Sequence, residues 1–216
     1  MKFDAVLFDC DGVLVDSESI TCGVLRDMLE EGGWAMTLQQ CMHIFVGHAV
    51  TDKRNEIESH TGLPLTQEWL LNFRERRNAA LVAHIQAIPN VHGAVQALHQ
   101  SMGGRIACAS GADRFKVEMM LTQVGLAEYF VGNIFSGHEM PRSKPYPDVY
   151  LAAAAHLGVD PTRCAVVEDT VTGVRAGVSA GATVFGYAPL GDGQALLDAG
   201  ASVVFSDMVE LPALLN

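Results

Sequence analysis

Short apolar runs alternate with stretches of helical periodicity along most of this 216-residue chain. The first run, Ala5 to Phe8, is unbroken and stops at Asp9, which is typical of a strand buried on both faces. From Ile88 onward, strand-like runs and helical stretches follow one another with short connections. The predicted strands lie near residues 105–109, 133–135, 164–167, 183–185 and 202–205, and the predicted helices near residues 91–102, 115–124, 148–156 and 171–180. This order predicts an α/β fold with a parallel sheet that helices cover on both sides.

The stretch between Asp16 and Ile88 has a different pattern. Apolar residues recur there at helical spacing, and no convincing strand interrupts them. An all-helical block inside a chain that begins with a strand indicates an inserted cap domain. We therefore predict a core domain made of residues 1–15 and 89–216, and a helical cap made of residues 16–88.

Composition narrows the class of protein. Hydrophobic residues make up 49% of the chain, which is enough for a substantial core. The net charge of −11 disfavours nucleic acid and anionic membranes as partners, because both favour basic surfaces. The sequence shows neither a membrane span nor the layout of a secretion signal. Its five cysteines include no CxxC pair, which favours reduced, buried thiols in a cytoplasmic protein over disulfides or zinc.

Polar side chains follow several predicted strands of the core at the point where each strand ends. They are Asp9 and Asp11 after the first strand, Ser110 and Gly111 after the next core strand, and Glu168 and Asp169 after a later one. Lys144 lies in a loop before a helix that begins with proline. Because ligands of parallel sheets bind beyond the carboxyl ends of the strands, we expect these residues at one site. A polar strand end is common by itself, but this concentration of charge at one edge favours a binding site over surface solvation.

The charges predict chemistry on a phosphoryl group with help from Mg²⁺. Asp9, Glu168 and Asp169 offer side-chain oxygens to the ion, and the Asp11 backbone carbonyl offers a further ligand. A divalent cation lets an anionic phosphoryl group approach an anionic carboxylate. Asp9 can then form an aspartyl-phosphate. Asp11 can protonate the leaving oxygen and later take a proton from the attacking water.

Three further residues can bind the phosphate oxygens. Ser110 offers a hydroxyl group, and Gly111 offers an unobstructed backbone N–H. Lys144 supplies a compact positive charge and can also pair with Asp9.

Four motifs together resemble those of the haloacid dehalogenase superfamily. They read DCDGVLVDSE at 9–18, ASG at 109–111, SKPYPD at 143–148 and VEDT at 167–170. The chain is similar in particular to the β-phosphoglucomutase-like branch, whose members carry a helical cap after the first motif. This resemblance implies a Rossmann-like core and a Mg²⁺-dependent phosphohydrolase. The roles it implies are nucleophile for Asp9, acid and base for Asp11, phosphate binding for Ser110 and Lys144, and a metal environment of Asp9, Asp11, Glu168 and Asp169.

The favoured interpretation is a phosphatase that acts on a small phosphorylated metabolite, a sugar phosphate or related acid, as a monomer or weak homo-oligomer. A sugar-phosphate mutase of the same branch is the alternative. The cap stretch GHAVTDKR at 47–54 disfavours it, because similar mutases carry a Gly-x-Ser-Arg stretch there. Lys53 or Arg54 could replace that pair, however, and Val13 stands where many similar phosphatases have threonine.

Two other functions are less favoured. Dehalogenases of this group resemble one another in lacking an acid at the position of Asp11, because no leaving alcohol needs a proton. A binding module without catalysis should have lost a residue such as Asp9 or Lys144, and none is lost.

In this family the cap closes over the core and selects the substrate. His48 and Lys53, in a loop between predicted cap helices, are our candidates for substrate contact. They fit solvated surface residues equally well.

Overall fold

The structure, a computed structural model, describes residues 2–216. Residue 1, which the predicted core domain includes, lies outside the described residues. The chain divides into two compact units, one made of residues 2–16 and 86–216 and the other of residues 17–85. Among residues 2–216, no helix is both long enough and apolar enough to cross a bilayer.

The larger unit is built on a parallel sheet. The strands are β1 Ala5–Phe8, β2 Val15–Asp16, β3 Gln86–Ala87, β4 Ile106–Ser110, β5 Ile134–Ser136, β6 Cys164–Glu168, β7 Thr183–Tyr187 and β8 Val203–Phe205. Six of them form the sheet, in the order β5-β4-β1-β6-β7-β8, and all neighbours are parallel. The predicted α/β class and Rossmann-like parallel sheet are therefore confirmed. β1 lies between β4 and β6, so the first strand of the chain is central.

The remaining two strands form a separate antiparallel ribbon. Val15 pairs with Ala87, and Asp16 pairs with Gln86. The prediction that no strand lies between Asp16 and Ile88 is wrong at this point. A two-residue strand is too short to carry a hydrophobic period that a sequence pattern could reveal.

Helices fill the connections between the strands. Those of the smaller unit are α1 Glu18–Glu31, α2 Leu38–Phe45, α3 Arg54–Thr61 and α4 Gln67–His84. Those of the larger unit are α5 Val91–Ser101, α6 Arg114–Gln123, α7 Asp148–His156, α8 Val171–Ser179, α9 Gln194–Asp198 and α10 Leu211–Leu214. A 3-10 turn, Val50–Lys53, leads directly into α3.

The core of the larger unit lies on both faces of the sheet. All four residues of β1 are buried. Leu7 belongs to a buried cluster that includes Tyr150 of α7 and Val174 of α8. Phe8 instead contacts the ring of Phe130 edge-on, with 6.0 Å between ring centroids. Burial on both faces explains why the strands read as unbroken apolar runs rather than as alternating patterns.

The smaller unit has a hydrophobic core of its own. Buried side chains from its four helices, among them Leu25, Leu29, Phe45, Ile57 and Phe73, form one cluster. Its helices also have local start signals, since Thr37 and Gln40 form a reciprocal capping box at the start of α2.

Candidate active site

The loop that follows β1 holds two aspartates at the carboxyl edge of the sheet. Asp9 is buried, and its backbone N–H donates to the carbonyl of Val167 in β6 at 3.0 Å. The Leu14 N–H donates back to the Cys10 carbonyl at 2.9 Å, which closes a tight loop. Backbone hydrogen bonds to the sheet and within the loop therefore fix the positions of Asp9 and Asp11.

Three carboxylates meet at this edge because β1 and β6 are neighbours. Asp9, Glu168 and Asp169 each offer an oxygen, and these oxygens lie within 4.8 Å of one another. Carboxylate oxygens at this spacing suit a hard divalent cation such as Mg²⁺. The chemistry of the donor set thus fits the predicted metal, and the predicted carboxylates at 9, 168 and 169 are brought together.

Two glycines allow the backbone to approach these carboxylates closely. Gly12 has φ +75°, in the left-handed region that favours glycine, and a Cβ there would overlap the Asp169 carboxylate. A Cβ at Gly173 in α8 would overlap the Glu168 carboxylate. Neither position has room for a larger residue unless a carboxylate moves.

Lys144 lies among the carboxylates. Its Nζ is 2.5 Å from Asp9 Oδ1 and 2.7 Å from Glu168 Oε1, and it lies over the Tyr150 ring, 4.8 Å from the centroid. The side chains of Lys144, Asp9 and Glu168 are at most 10% exposed, so the two contacts are short, charge-assisted hydrogen bonds in a poorly solvated place.

Burial and charge shift the titration of this cluster. Burial raises the pKa of Asp9 to about 7, although the Lys144 ammonium opposes the rise. Burial alone would lower the pKa of Lys144, but the Asp9 and Glu168 carboxylates outweigh it and hold that pKa well above its usual value. Burial, followed by the charge of Glu168, raises the pKa of the Tyr150 hydroxyl well above its ordinary value.

Glu168 is fully buried, and both of its oxygens accept hydrogen bonds. Oε1 accepts from Lys144 Nζ and from the Tyr150 hydroxyl at 2.9 Å. Oε2 accepts from the backbone N–H groups of Asp169 and Thr170 and from the Thr170 hydroxyl, each at 3.0 Å. Five donors therefore satisfy this carboxylate, and a cation that it ligates directly would have to displace some of them.

Ser110 ends β4, next to β1 in the sheet, and is buried. Phe8 pairs with Cys108, so Ser110 and Gly111 reach the same sheet edge as Asp9. The Ser110 Oγ accepts a hydrogen bond from the Ala112 N–H at 3.0 Å, which orients the hydroxyl oxygen.

Asp11 has a partner that the sequence motifs do not include. Its Oδ1 accepts a hydrogen bond from Lys116 Nζ at 2.6 Å, and the Lys116 side chain is only 8% exposed. Lys116 shares one face of α6 with the buried residues Val117 and Met120. A lysine at a position on the apolar face of a predicted helix was therefore the sequence signal that could have indicated Lys116 as a site residue.

Tyr150 and Thr170 were given no role in the predicted site, although both hydrogen-bond Glu168. Tyr150 has no distinctive signal, because a tyrosine in an alanine-rich helix is typical of a core residue. Thr170 is the residue after the last acidic pair, and its hydroxyl also caps α8 by accepting from the Gly173 N–H.

The two candidate cap residues lie in the unit of residues 17–85. His48 is exposed in the loop after α2. Lys53 ends the 3-10 turn, with its Nζ 3.9 Å from Glu56 Oε2. Contact with substrate by either residue stays a prediction.

A family model described as haloacid dehalogenase-like hydrolase matches residues 3–181 of the chain. The chain belongs to this family. It is 31% identical over 193 residues to hexitol phosphatase B of Escherichia coli (strain K12), a match that covers 82% of this chain and 79% of that protein. It is 27% identical over 185 residues to 6-phosphogluconate phosphatase of the same strain, covering 85% and 82% of the two chains.

A solved structure of this family matches the fold over nearly the whole chain. The crystal structure of a candidate β-phosphoglucomutase from Thermotoga maritima superposes with a TM-score of 0.80 at 26% identity, covering 98% of this chain and 97% of that one. The resemblance to the β-phosphoglucomutase-like branch of haloacid dehalogenase-like hydrolases is thus confirmed, and the protein is an enzyme of that family.

Proposed function

We propose that this haloacid dehalogenase-like hydrolase is a Mg²⁺-dependent phosphatase of a small phosphorylated metabolite, a sugar phosphate or related acid. The observation that carries the proposal is the meeting of Asp9, Asp169 and Lys144, two carboxylates and an ammonium group, at one buried sheet edge. The names of the two phosphatase relatives support the same substrate class. Small phosphorylated metabolites are then its partners, and a cytoplasmic location and a monomeric or weakly oligomeric state stay predictions.

The proposed reaction has two displacement steps at phosphorus. An Asp9 oxygen attacks the phosphorus, the bond to the leaving oxygen breaks, and Asp11 gives its proton to that oxygen. Water then attacks the aspartyl-phosphate and gives a proton to Asp11. Inorganic phosphate leaves, and both aspartates return to their starting states.

The remaining residues hold charge in place during these steps. Asp9, Asp169 and the Asp11 backbone carbonyl would hold Mg²⁺, and Glu168 lies within reach of the same point. When bound, the ion supplies positive charge that favours ionised Asp9 and offsets repulsion of the anionic substrate. Ser110, Gly111 and Lys144 would bind the phosphoryl oxygens (Ser110 through its hydroxyl, Gly111 through its N–H).

The experiment is a panel of phosphorylated sugars, polyols and sugar acids, assayed for release of inorganic phosphate with Mg²⁺ and with chelator. We expect release that depends on Mg²⁺. Asp9→Asn should lower the rate by ~1000-fold or more, because the nucleophile is lost. Asp4→Asn, which changes an exposed aspartate paired with Arg163, is the matched control and should leave the rate unchanged. Normal turnover by Asp9→Asn would refute the covalent mechanism.

The mutase alternative is tested by the same preparation. The similarity to a candidate β-phosphoglucomutase supports this alternative. A mutase would isomerise a sugar 1-phosphate when a trace of the bisphosphate is present, and would release little phosphate. Isomerisation faster than hydrolysis would replace the phosphatase proposal.

A further inference from the structure

Lys116 lies where a lysine is costly. It occupies the first turn of α6, where the helix dipole disfavours a positive charge, and its backbone N–H donates to the capping residue Asp113 at 2.9 Å. Its side chain is only 8% exposed, so its ammonium group is also removed from most of the solvent. Such a residue persists only if a specific partner compensates both costs.

The burial pattern of this turn is the reverse of ordinary packing. Phe115, the preceding residue, is 66% exposed, and the Arg114 side chain is 40% exposed, whereas the Lys116 side chain is buried. Hydrophobic burial alone would turn the phenylalanine inward and the lysine outward. The orientation of α6 therefore places the Lys116 ammonium group inside the protein, where it donates a hydrogen bond to Asp11 Oδ1 at 2.6 Å.

The two aspartates of the first motif thus have different lysines. Lys144 contacts Asp9, the proposed nucleophile, and also Glu168. Lys116 contacts Asp11, the proposed acid and base, from a different part of the chain. The two lysines therefore act on different groups. Lys144 contacts the proposed attacking carboxylate, and Lys116 contacts the proposed proton-transferring carboxylate.

We propose that Lys116 is a positioning residue for Asp11, an inference that rests on the proposed function. It fixes the carboxylate by a charge-assisted hydrogen bond. It also stabilises the negative charge that forms on Asp11 when the proton passes to the leaving oxygen. Loss of Lys116 should therefore weaken the step in which the leaving group needs that proton, and should matter less where the leaving group departs as an anion.

The test compares three phosphate esters of similar size, namely p-nitrophenyl, phenyl and benzyl phosphate. They differ mainly in how much the leaving oxygen needs a proton, least for p-nitrophenyl and most for benzyl. The measured quantity is kcat/KM, which reports the steps up to formation of the aspartyl-phosphate. For Lys116→Met we expect a loss of ~10-fold or more on benzyl phosphate and a clearly smaller loss on p-nitrophenyl phosphate.

Two comparisons separate this role from a general effect. Arg114→Gln removes a positive charge from the same turn of α6 and should leave kcat/KM on all three esters unchanged. In an Asp11→Asn background, adding Lys116→Met should cause no further loss that depends on the leaving group, because the group it positions is already gone.

Equal losses on all three esters, or no loss on any, would overturn the inference. If Lys116→Met does not fold, Lys116→Gln gives the same test, since it removes the charge but keeps a hydrogen-bond donor. Equal losses on all three esters for Lys116→Gln, or no loss on any, would equally overturn it. Failure of the wild-type protein to release phosphate both from these esters and from the panel of phosphorylated sugars, polyols and sugar acids would instead count against the proposed function.

Discussion

At the scale of single residues, the candidate site depends on small side chains as much as on charged ones. Gly173 stands in the first turn of α8, where a methyl group would overlap the buried Glu168 carboxylate. That carboxylate has five hydrogen-bond donors around it, so it cannot shift without losing some of them. The glycine is therefore required by contact with the site and not by backbone conformation.

Gly173→Ala should lower the free energy of unfolding by ~1–3 kcal/mol, because overpacking displaces either the helix or Glu168. Gly93→Ala is the matched control, since Gly93 lies within α5 and a methyl group added there would have no atom within 4 Å apart from its chain neighbours and the backbone of its own helix. It should raise the free energy of unfolding by ~0.5–1 kcal/mol through helix propensity. Urea unfolding of both variants measures the contrast, and a shift in the same direction for both would contradict it.

Residues that end strands could be placed from the sequence, and residues that enter the site from helices could not. Asp9, Ser110 and Asp169 each follow a short apolar run, and the parallel sheet then brings those run ends to one edge. Lys116 reaches the site from α6. Helical periodicity shows that it shares the buried face, but it does not show which group that face meets.

At the scale of elements, α7 lies in the chain between the loop that contains Lys144 and β6, the strand that ends at Glu168. It begins four residues after Lys144 and carries Tyr150, whose hydroxyl donates to Glu168 Oε1 at 2.9 Å. The ring of Tyr150 also faces the Lys144 ammonium group. One helix thus supports both the cation and the anion of the site.

Tyr150→Phe should lower the free energy of unfolding by ~1–3 kcal/mol, because the buried Glu168 carboxylate loses a donor while the ring still fills its place. Tyr146→Phe, which changes an exposed tyrosine just before α7, is the control and should have little effect. Chemical denaturation compares the two. Equal stability of Tyr150→Phe and wild type would mean that this hydrogen bond contributes nothing net.

Among the helices of the larger unit, the long ones were predictable from the sequence and the short ones were not. The helical patterns near residues 91–102, 115–124, 148–156 and 171–180 correspond to α5 to α8 with small changes at their ends. Helices α9 and α10 have five and four residues, too few to show a helical period, and the sequence pattern does not predict them.

At the scale of the whole molecule, three carboxylates are held together in a chain whose net charge is already −11. Their mutual repulsion is part of the cost of folding the larger unit, and Lys144 offsets some of it. A divalent cation that binds the folded unit alone should offset more, and so should stabilise the fold by linkage.

We therefore expect Mg²⁺ to raise the unfolding temperature of chelator-treated protein, with ~2.7 kcal/mol of stabilisation when the ion is at 100 times its Kd. NaCl at equal ionic strength is the control, because salt alone screens the excess negative charge. Asp169→Asn should remove most of the Mg²⁺-specific shift. A thermal shift identical in Mg²⁺ and NaCl would show that the carboxylates do not form a divalent site.

The ribbon of Val15–Asp16 and Gln86–Ala87 affects which inserted domains the larger unit can carry. Because the two strands pair antiparallel, the points where residues 17–85 leave and rejoin the larger unit are ~5 Å apart. A tight two-residue turn can span such a gap. The intervening helices are therefore an insertion with fixed end points, which a sequence of a different length could replace while the sheet of the larger unit keeps its register.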